Sequence, residues 1–206
     1  AVAQLPTGSA DPVFVVPSGN FGNLTAGILA WMMGLGVHRF VAATNSNDVV
    51  PEYLHTGEFK PRASVSTMSN AMDVGNPSNF WRMTALFGND LEAMRKMIFA
   101  ATADEATTAR LMRLCWDECH YLTEPHAAVG LYGWEQYVKQ NGSLHPGIVL
   151  GTAHPSKFIE AVEAISGRSP EVPGALAEVI RKEKQAVRMK AEFSELRRFL
   201  LEKSKI

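Results

Sequence analysis

The feature that most constrains the fold is a short apolar run at residues 13–16 that leads directly into a turn rich in glycine and asparagine. Continuous apolar runs with β-branched and aromatic side chains are typical of parallel strands covered on both faces. An apolar helical stretch follows at residues 24–33, and residues 40–43 form a second strand-like run. This order predicts a βαβ unit whose polar turn lies where open α/β sheets bind ligands.

The rest of the sequence predicts helices, one further strand and a long loop. Residues 45–79 are rich in Asn, Ser, Thr, Gly and Pro, and we predict an irregular loop, which is uncommon at this length unless it is functional. The later patterns predict helices over 90–101 and 104–119 with Asp104 as N-cap, a helix from Pro125 to Tyr137, a strand over 148–150, and a helix from Pro155 to Gly167. We therefore expect an α/β fold, a partial parallel sheet with helices on both faces.

The composition changes near the end of the chain, which predicts a division into residues 1–170 and a helical extension over 171–206. Residues 181–206 hold nine Lys and Arg against four Glu, so the remainder holds 11 against 17 and carries a net charge of −6. An apolar stripe recurs there at helical spacing, formed by Met189, Phe193, Leu196 and Leu200. A basic helix of this kind is either an interaction surface or a solvated helix docked through its stripe, and we favour the second interpretation.

The composition excludes several classes of protein. The 206 residues are 46% hydrophobic and 20% charged with a net charge of −1, so no overall field favours nucleic acid or membrane as a partner. The sequence contains neither an apolar run near the roughly 20 residues of a membrane-spanning helix nor a signal-peptide pattern. Cys115 and Cys119 lack the spacing of a common zinc site with Asp117 or His120, and we predict two reduced thiols, no metal and a cytoplasmic location.

The turn after the first strand, residues 17–23, carries the most specific chemistry. Its glycines allow close backbone approach to a ligand, and the following helix start offers free N–H groups with a partial positive charge. These features suit an anion, most naturally a phosphate, with Ser18 and two asparagines as neutral donors. The residues alone equally allow a simple Asn/Gly turn. The patterns of a P-loop and of a dinucleotide fingerprint are both absent.

A family resemblance decides between these interpretations. Residues 18–23 (SGNFGN) resemble the phosphate-binding loop of fold-type II pyridoxal-phosphate enzymes in its threonine synthase form. Five further segments resemble that family in its own order: 42–45 (AATN), 54–57 (LHTG), 69–73 (SNAMD), 124–128 (EPHAA) and 151–155 (GTAHP). The resemblance covers nearly the whole chain. It implies that residues 1–170 are the C-terminal part of the large domain of such an enzyme.

The resemblance also implies a reaction and a set of site residues. In that family phosphohomoserine reacts with water to give threonine and phosphate, and pyridoxal phosphate is the electron sink. It implies that Thr152 hydrogen-bonds the pyridine nitrogen, although residue types alone favour a helix cap there because Pro155 follows. It further implies that Asn20 lies near the substrate phosphate. The residues expected to contact the cofactor phosphate are Gly19, Asn20, Phe21, Gly22 and Asn23.

No lysine in the chain matches the family's Schiff-base lysine. Lys60 shares only two letters of that motif and follows the phosphate loop instead of preceding it, and Lys157 is expected to be solvent-exposed. The resemblance places the catalytic lysine, and the loop that grips the substrate carboxylate, in an N-terminal half that family members carry. We therefore expect this chain to be inactive alone and to need that half as its partner. The alternative, from another class, is a non-catalytic phosphate-binding or assembly module.

Four polar residues outside the loop have two interpretations each. His126 and His154 are acid–base candidates by residue type, but we predict structural roles first and site-lining roles second. Asp73 and Asn76 fall in the long loop and are candidates for the mouth of the site. For these two we favour the interpretation that they are solvated turn residues.

Overall fold

The structure, a computed structural model, describes residues 2–142 and 144–203. Its sheet has four strands in the order β3-β2-β1-β4, and every neighbouring pair is parallel. The strands are β1 (Val13–Pro17), β2 (Arg39–Thr44), β3 (Ile98–Thr102) and β4 (Gly147–Val149). The predicted α/β class with a partial parallel sheet is confirmed.

Helices connect these strands and continue beyond them. Short 3-10 helices lie at Val2–Gln4, Asn70–Met72 and Pro155–Phe158. The α-helices in the described residues are α1 (Gly22–Met32), α2 (Val49–Thr56), α3 (Phe80–Leu86), α4 (Leu91–Met97), α5 (Glu105–Cys119), α6 (Pro125–Asn141), α7 (Ile159–Ser166), α8 (Gly174–Ile180) and α9 (Phe193–Lys203).

The core lies on both faces of the sheet. Val16 and Phe40 belong to one buried cluster, whereas Val15 and Val41 belong to another. This alternation is the period of two that a pleated strand imposes on its side chains. Each fully buried aliphatic or aromatic side chain contributes about 1.5–3 kcal/mol to stability. The strands are therefore covered on both sides, as their continuous apolar runs predict.

Helix α6 covers the second face at unusually short range. A Cβ atom added at Gly133 would lie 2.8 Å from the Cβ of Ala43, so only glycine allows this separation between α6 and β2. The close packing sets the position of the α6 N-terminus, where Glu124 is the N-cap and Pro125 the first helical residue.

The predicted helix over residues 90–101 is wrong in its second half. Asp90 caps α4 by accepting the N–H groups of Glu92 and Ala93, but the helix ends at Met97. From Ile98 the chain is extended and pairs with β2, beginning opposite Phe40. Pairing with a strand that is distant in sequence overrides the local helical pattern, because β propensity is largely a matter of packing context.

The predicted irregular loop over residues 45–79 is also partly wrong. It contains α2, which buries Val49, Val50 and Leu54 and ends at Gly57 in the left-handed conformation with a φ of 81°. It also contains the 3-10 helix Asn70–Met72. Residues 58–67 between them are irregular, as predicted.

The chain divides into two compact units, residues 1–171 and 172–206. Within the second unit α8 and α9 are separated by residues 181–192, which form no helix. Met189 therefore does not share a helix with Phe193, Leu196 and Leu200, contrary to the predicted stripe. Like charges crowd residues 181–190, which opposes a regular helix there. Lys205, part of the predicted basic segment, lies outside the described residues.

Three further observations concern predicted absences. No helix in the described ranges is long and apolar enough to cross a membrane. Among the same residues, no group of three His, Cys, Asp or Glu side chains is arranged to hold a metal ion. Cys115 and Cys119 are both free thiols, and burial raises the pKa of Cys115.

Candidate functional site

A cleft lies beyond the carboxyl ends of β1 and β4. It has a volume of about 210 Å³ and is lined by residues 17–23, Ala71, Met72, His126 and Thr152. Because β1 and β4 are parallel neighbours, the turns that follow them open at the same edge of the sheet. The structure thus brings the loop residues Gly19 to Asn23 together with Thr152.

The first helical turn of α1 faces this cleft without a cap. Thr25 donates its N–H to the Phe21 carbonyl at 3.0 Å, which begins the helix, and Phe21 gives no side-chain cap. The N–H groups of Gly22, Asn23 and Leu24 therefore have no intrahelical acceptor. Together with the helix dipole they form a site that favours an anion.

Phe21 holds the turn in a conformation that is uncommon for its residue type. Its φ and ψ are 61° and 18°, in the left-handed region, and its side chain is buried in the core cluster with Leu24 and Ile28. Residues in such regions persist only where their surroundings over-determine them, and they concentrate at functional sites. Burial of the ring thus fixes the direction in which α1 starts.

At Gly19 the loop contacts the 3-10 helix Asn70–Met72, which forms the opposite wall of the cleft. A Cβ atom built on Gly19 would lie 2.5 Å from the Cα of Met72 and 3.0 Å from the carbonyl oxygen of Ala71. Both neighbours are backbone atoms, which cannot rotate away. The loop therefore rests directly on the 3-10 helix Asn70–Met72, and no other residue type fits there without moving it.

The side chains of Ser18 and Asn20 bind the protein itself. The Ser18 hydroxyl donates to the carbonyl of Val16 at 2.8 Å, so it is not the free donor that the sequence suggested. The Asn20 side chain accepts the N–H of Ser78 at 2.6 Å, and Asn79 donates its side-chain amide to the Asn20 carbonyl at 2.8 Å. These bonds tie the loop to the start of α3. The exposed side chain of Asn23 and the backbone N–H groups at the start of α1 remain as donors for a ligand.

His126, which forms a buried pair with Glu124, lines the side of the cleft away from the loop. The Glu124 carboxylate lies 2.6 Å from His126 Nδ1, and the two residues are 1% and 3% exposed. Glu124 also accepts the backbone N–H groups of His126 and Ala127 at 2.9 and 2.7 Å. His126 Nε2 accepts the N–H of Ala71 at 3.2 Å. Sequence reasoning gave Glu124 no role of its own, although Pro125 as the first helical residue marks the position before it as the N-cap.

Asp73 is the centre of a second polar network, not a solvated turn residue. Its carboxylate accepts the side-chain amide of Asn45 at 2.9 Å and that of Asn47 at 3.2 Å, together with the hydroxyl and N–H of Thr67 at 2.7 and 3.0 Å. The network fixes the chain just after the 3-10 helix Asn70–Met72. Asn76 is exposed, as favoured from the sequence.

Thr152 follows β4 in the chain and lines the cleft, and its side chain does not cap the next helix. The cap of the 3-10 helix Pro155–Phe158 is His154, which accepts the N–H of Ser156 at its Nδ1. His154 is absent from the lining of the cleft. Of the two histidines considered, the structure brings only His126 to the loop.

No lysine in the described part of the chain lines the cleft. Lys60 is paired with Glu58 on the surface, where the carboxylate raises the pKa of Lys60. Lys96, Lys139 and Lys157 are exposed. The cleft supplies backbone N–H groups, a hydroxyl and a buried imidazole, but no amine.

Comparison with known proteins yields a consistent match. Residues 127–200 match the family model described as threonine synthase, C-terminal. The chain is 45% identical over 202 residues to the threonine synthase of Serratia marcescens. This alignment covers 98% of this chain and 46% of that protein. The chain thus spans about half the length of the curated relatives it matches.

Solved structures agree with this match. The crystal structure of threonine synthase from Escherichia coli has a TM-score of 0.88 at 43% identity, covering 98% of this chain and 46% of that one. A threonine synthase from Brucella melitensis, solved with bound PLP, has a TM-score of 0.82 at 27% identity and covers 100% of this chain and 48% of that one.

Proposed function

We propose that this chain, which matches the C-terminal half of threonine synthases, works as that half of a pyridoxal-phosphate-dependent enzyme. The reaction converts O-phosphohomoserine and water to threonine and phosphate. The observation that carries the proposal is the uncapped start of α1 in a cleft that also contains Thr152.

The residues present fit two ends of pyridoxal phosphate. The free N–H groups at the start of α1, with Gly19 allowing close backbone approach, suit its phosphate. Thr152, on the turn after the neighbouring strand, suits its pyridine nitrogen. When bound, this cofactor supplies the electron sink for carbanion chemistry. The set lacks an amine, which the rest of the site must provide.

In this proposal the chain's own residues orient the cofactor and set the environment of its ring nitrogen. Gly19, Asn20, Phe21, Gly22 and Asn23 form the phosphate cradle in this proposal. The Thr152 hydroxyl is neutral, so unlike a carboxylate it does not hold a proton on the ring nitrogen. Asn20, whose side chain accepts the N–H of Ser78, lies next to the substrate phosphate in this proposal. The buried ring of Phe21 holds the loop in its conformation.

The remaining functions belong, in this proposal, to the half of the enzyme that lies outside this chain. The chain covers 46% of a full-length relative, and no described lysine reaches the cleft. We therefore assign the cofactor-carrying lysine and the grip on the substrate carboxylate to that half, which is the chain's partner. The two free thiols fit a reducing compartment, and we propose a cytoplasmic location.

The cradle is tested by titrating the ¹⁵N-labelled chain with inorganic phosphate. The amide signals of Gly19 to Asn23 are expected to move together and to saturate, because their N–H groups face the anion. The uncapped start of α8, at Gly174, serves as the control helix terminus. Saturable shifts elsewhere, with none in the loop, would refute the assignment.

A Thr152→Val substitution tests the second end of the cofactor site. It removes the hydroxyl while keeping the shape, so we expect affinity for pyridoxal phosphate to fall by about fivefold in the complex of both halves, from a hydrogen bond of about 1 kcal/mol. Turnover should fall as well. The matched control is Thr7→Val, because Thr7 is exposed and does not line the cleft. Unchanged affinity and turnover in Thr152→Val would remove Thr152 from the site.

A further inference from the structure

His126 and Glu124 lie beside the phosphate cradle without belonging to it. His126 lines the cleft, yet both of its ring nitrogens are engaged by the protein: Nδ1 with Glu124 at 2.6 Å and Nε2 with the N–H of Ala71 at 3.2 Å. The ring also packs on Phe158, with centroids 4.9 Å apart. Because Glu124, Ala71 and Phe158 all contact the ring, the His126 side chain is suited to fix the positions of these neighbours.

The hydrogen bonds determine where the imidazole proton lies. A backbone N–H can only donate, so His126 Nε2 must present a lone pair to Ala71. The ring proton is then on Nδ1, where the Glu124 carboxylate accepts it. A doubly protonated ring would place Nε2–H against the Ala71 N–H. The arrangement is thus a neutral imidazole beside a carboxylate that three donors and the α6 N-terminus stabilise.

The contact to Ala71 continues to the anion loop. Ala71 is the middle residue of the 3-10 helix Asn70–Met72, and the backbone of that helix is the surface on which Gly19 rests. The network around Asp73 fixes the chain directly after it. His126 therefore anchors the helix itself, while Asp73 anchors its exit.

We propose that His126 is a positioning residue: Glu124 holds it as the Nδ1–H tautomer, and through Ala71 it fixes the wall that shapes the phosphate cradle. This inference rests on the proposed function in so far as it concerns phosphate. It assigns no acid or base role to His126, because the Nε2 lone pair is already occupied. Glu124 acts one step further away, by setting the tautomer.

Two substitutions separate the two hydrogen bonds. His126→Asn keeps a donor near the Nδ1 position for Glu124 but cannot reach Ala71. His126→Gln places an acceptor near the Nε2 position for Ala71 but loses the Nδ1 donor. If the bond to Ala71 matters for the cradle, Asn should weaken phosphate affinity about tenfold and Gln less than about threefold, since only Asn leaves the Ala71 N–H without its acceptor.

The experiment combines three readouts on the 206-residue chain. ¹⁵N spectra of the wild type should show His126 Nδ1 protonated and Nε2 unprotonated. Hydrogen exchange at the Ala71 amide should accelerate in His126→Asn and much less in His126→Gln. Titration with inorganic phosphate should rank the affinities as wild type, then Gln, then Asn. His120→Asn is the control, because His120 is exposed at the end of α5 in a left-handed conformation that Asn tolerates.

The outcomes are distinguishable. A protonated Nε2 in the wild type, or equal Ala71 exchange in the Asn and Gln variants, would overturn the positioning role. Equal phosphate affinity in all variants that bind would do the same. If the wild type bound no phosphate, the proposed function would fail instead. The tautomer and the exchange at Ala71 would then still decide the role of His126. The tautomer is measured on the wild type, so this holds even if one variant did not fold.

Discussion

Replacing Gly19 by alanine is expected to weaken phosphate binding by the loop more than tenfold. The new Cβ would lie 2.5 Å from the Cα of Met72, so either the loop or the 3-10 helix Asn70–Met72 must move. Forcing such a backbone shift typically costs about 1–3 kcal/mol, and we expect a loss near the upper end because both nearby atoms are backbone. Urea unfolding gives the loss in the free energy of unfolding, and phosphate titration gives the loss in affinity, expected to exceed tenfold.

Two other glycines provide controls. At Gly174 an added Cβ meets no atom within 4 Å, so Gly174→Ala should leave both quantities nearly unchanged. At Gly22 the nearest atom is the side-chain nitrogen of Asn79 at 3.7 Å, so Gly22→Ala should fold normally and reduce only phosphate affinity. If Gly19→Ala matched wild type in stability and affinity, the contact between the loop and its wall would not matter.

The strand-turn-helix that carries the site could be predicted from the sequence because its signals are local. The apolar run of β1, the glycine and asparagine turn and the apolar face of α1 lie within about 20 residues, and the βαβ order then fixes their relation to β2. The turn after β4 could be placed at the same edge because parallel strands end together. Thr152 therefore reaches the cleft for reasons visible in the sequence.

The walls of the cleft could not be predicted in the same way. The bond from Ala71 to His126 joins residues 55 positions apart, and Asn45 reaches Asp73 across 28. Polar residues in a long loop have the same composition whether they are solvated or networked. Strand β3 was missed for a related reason, since its pairing with β2 outweighs the helical pattern continuing from α4.

The second large effect concerns the chain without the N-terminal half that we propose as its partner. We expect it to form no threonine and to carry no stoichiometric lysine adduct after borohydride reduction with pyridoxal phosphate. The reason is geometric: a reactive lysine must be close to the cofactor's aldehyde carbon in a largely dry pocket with its amine partly neutral. Lys60, Lys96, Lys139 and Lys157 are all exposed, and the surface pair with Glu58 raises the pKa of Lys60, which disfavours the neutral amine.

Peptide mapping identifies any lysine that is labelled. Weak, distributed labelling of exposed lysines would agree with cofactor held only through its phosphate. A single described lysine labelled to completion would instead identify a catalytic residue that the structure places outside the cleft. If that lysine were Lys60, the Lys60→Arg variant would test it, because arginine keeps the charge pair with Glu58 and removes the reactive amine.

The most direct test of the central claim is to mix this chain with the N-terminal half of a threonine synthase and pyridoxal phosphate, and to measure threonine formed from O-phosphohomoserine. We predict activity only in the mixture, together with borohydride labelling of one lysine in the N-terminal half. Activity of this chain alone, or a mixture that binds phosphate at the loop but forms no threonine and labels no lysine, would contradict the account.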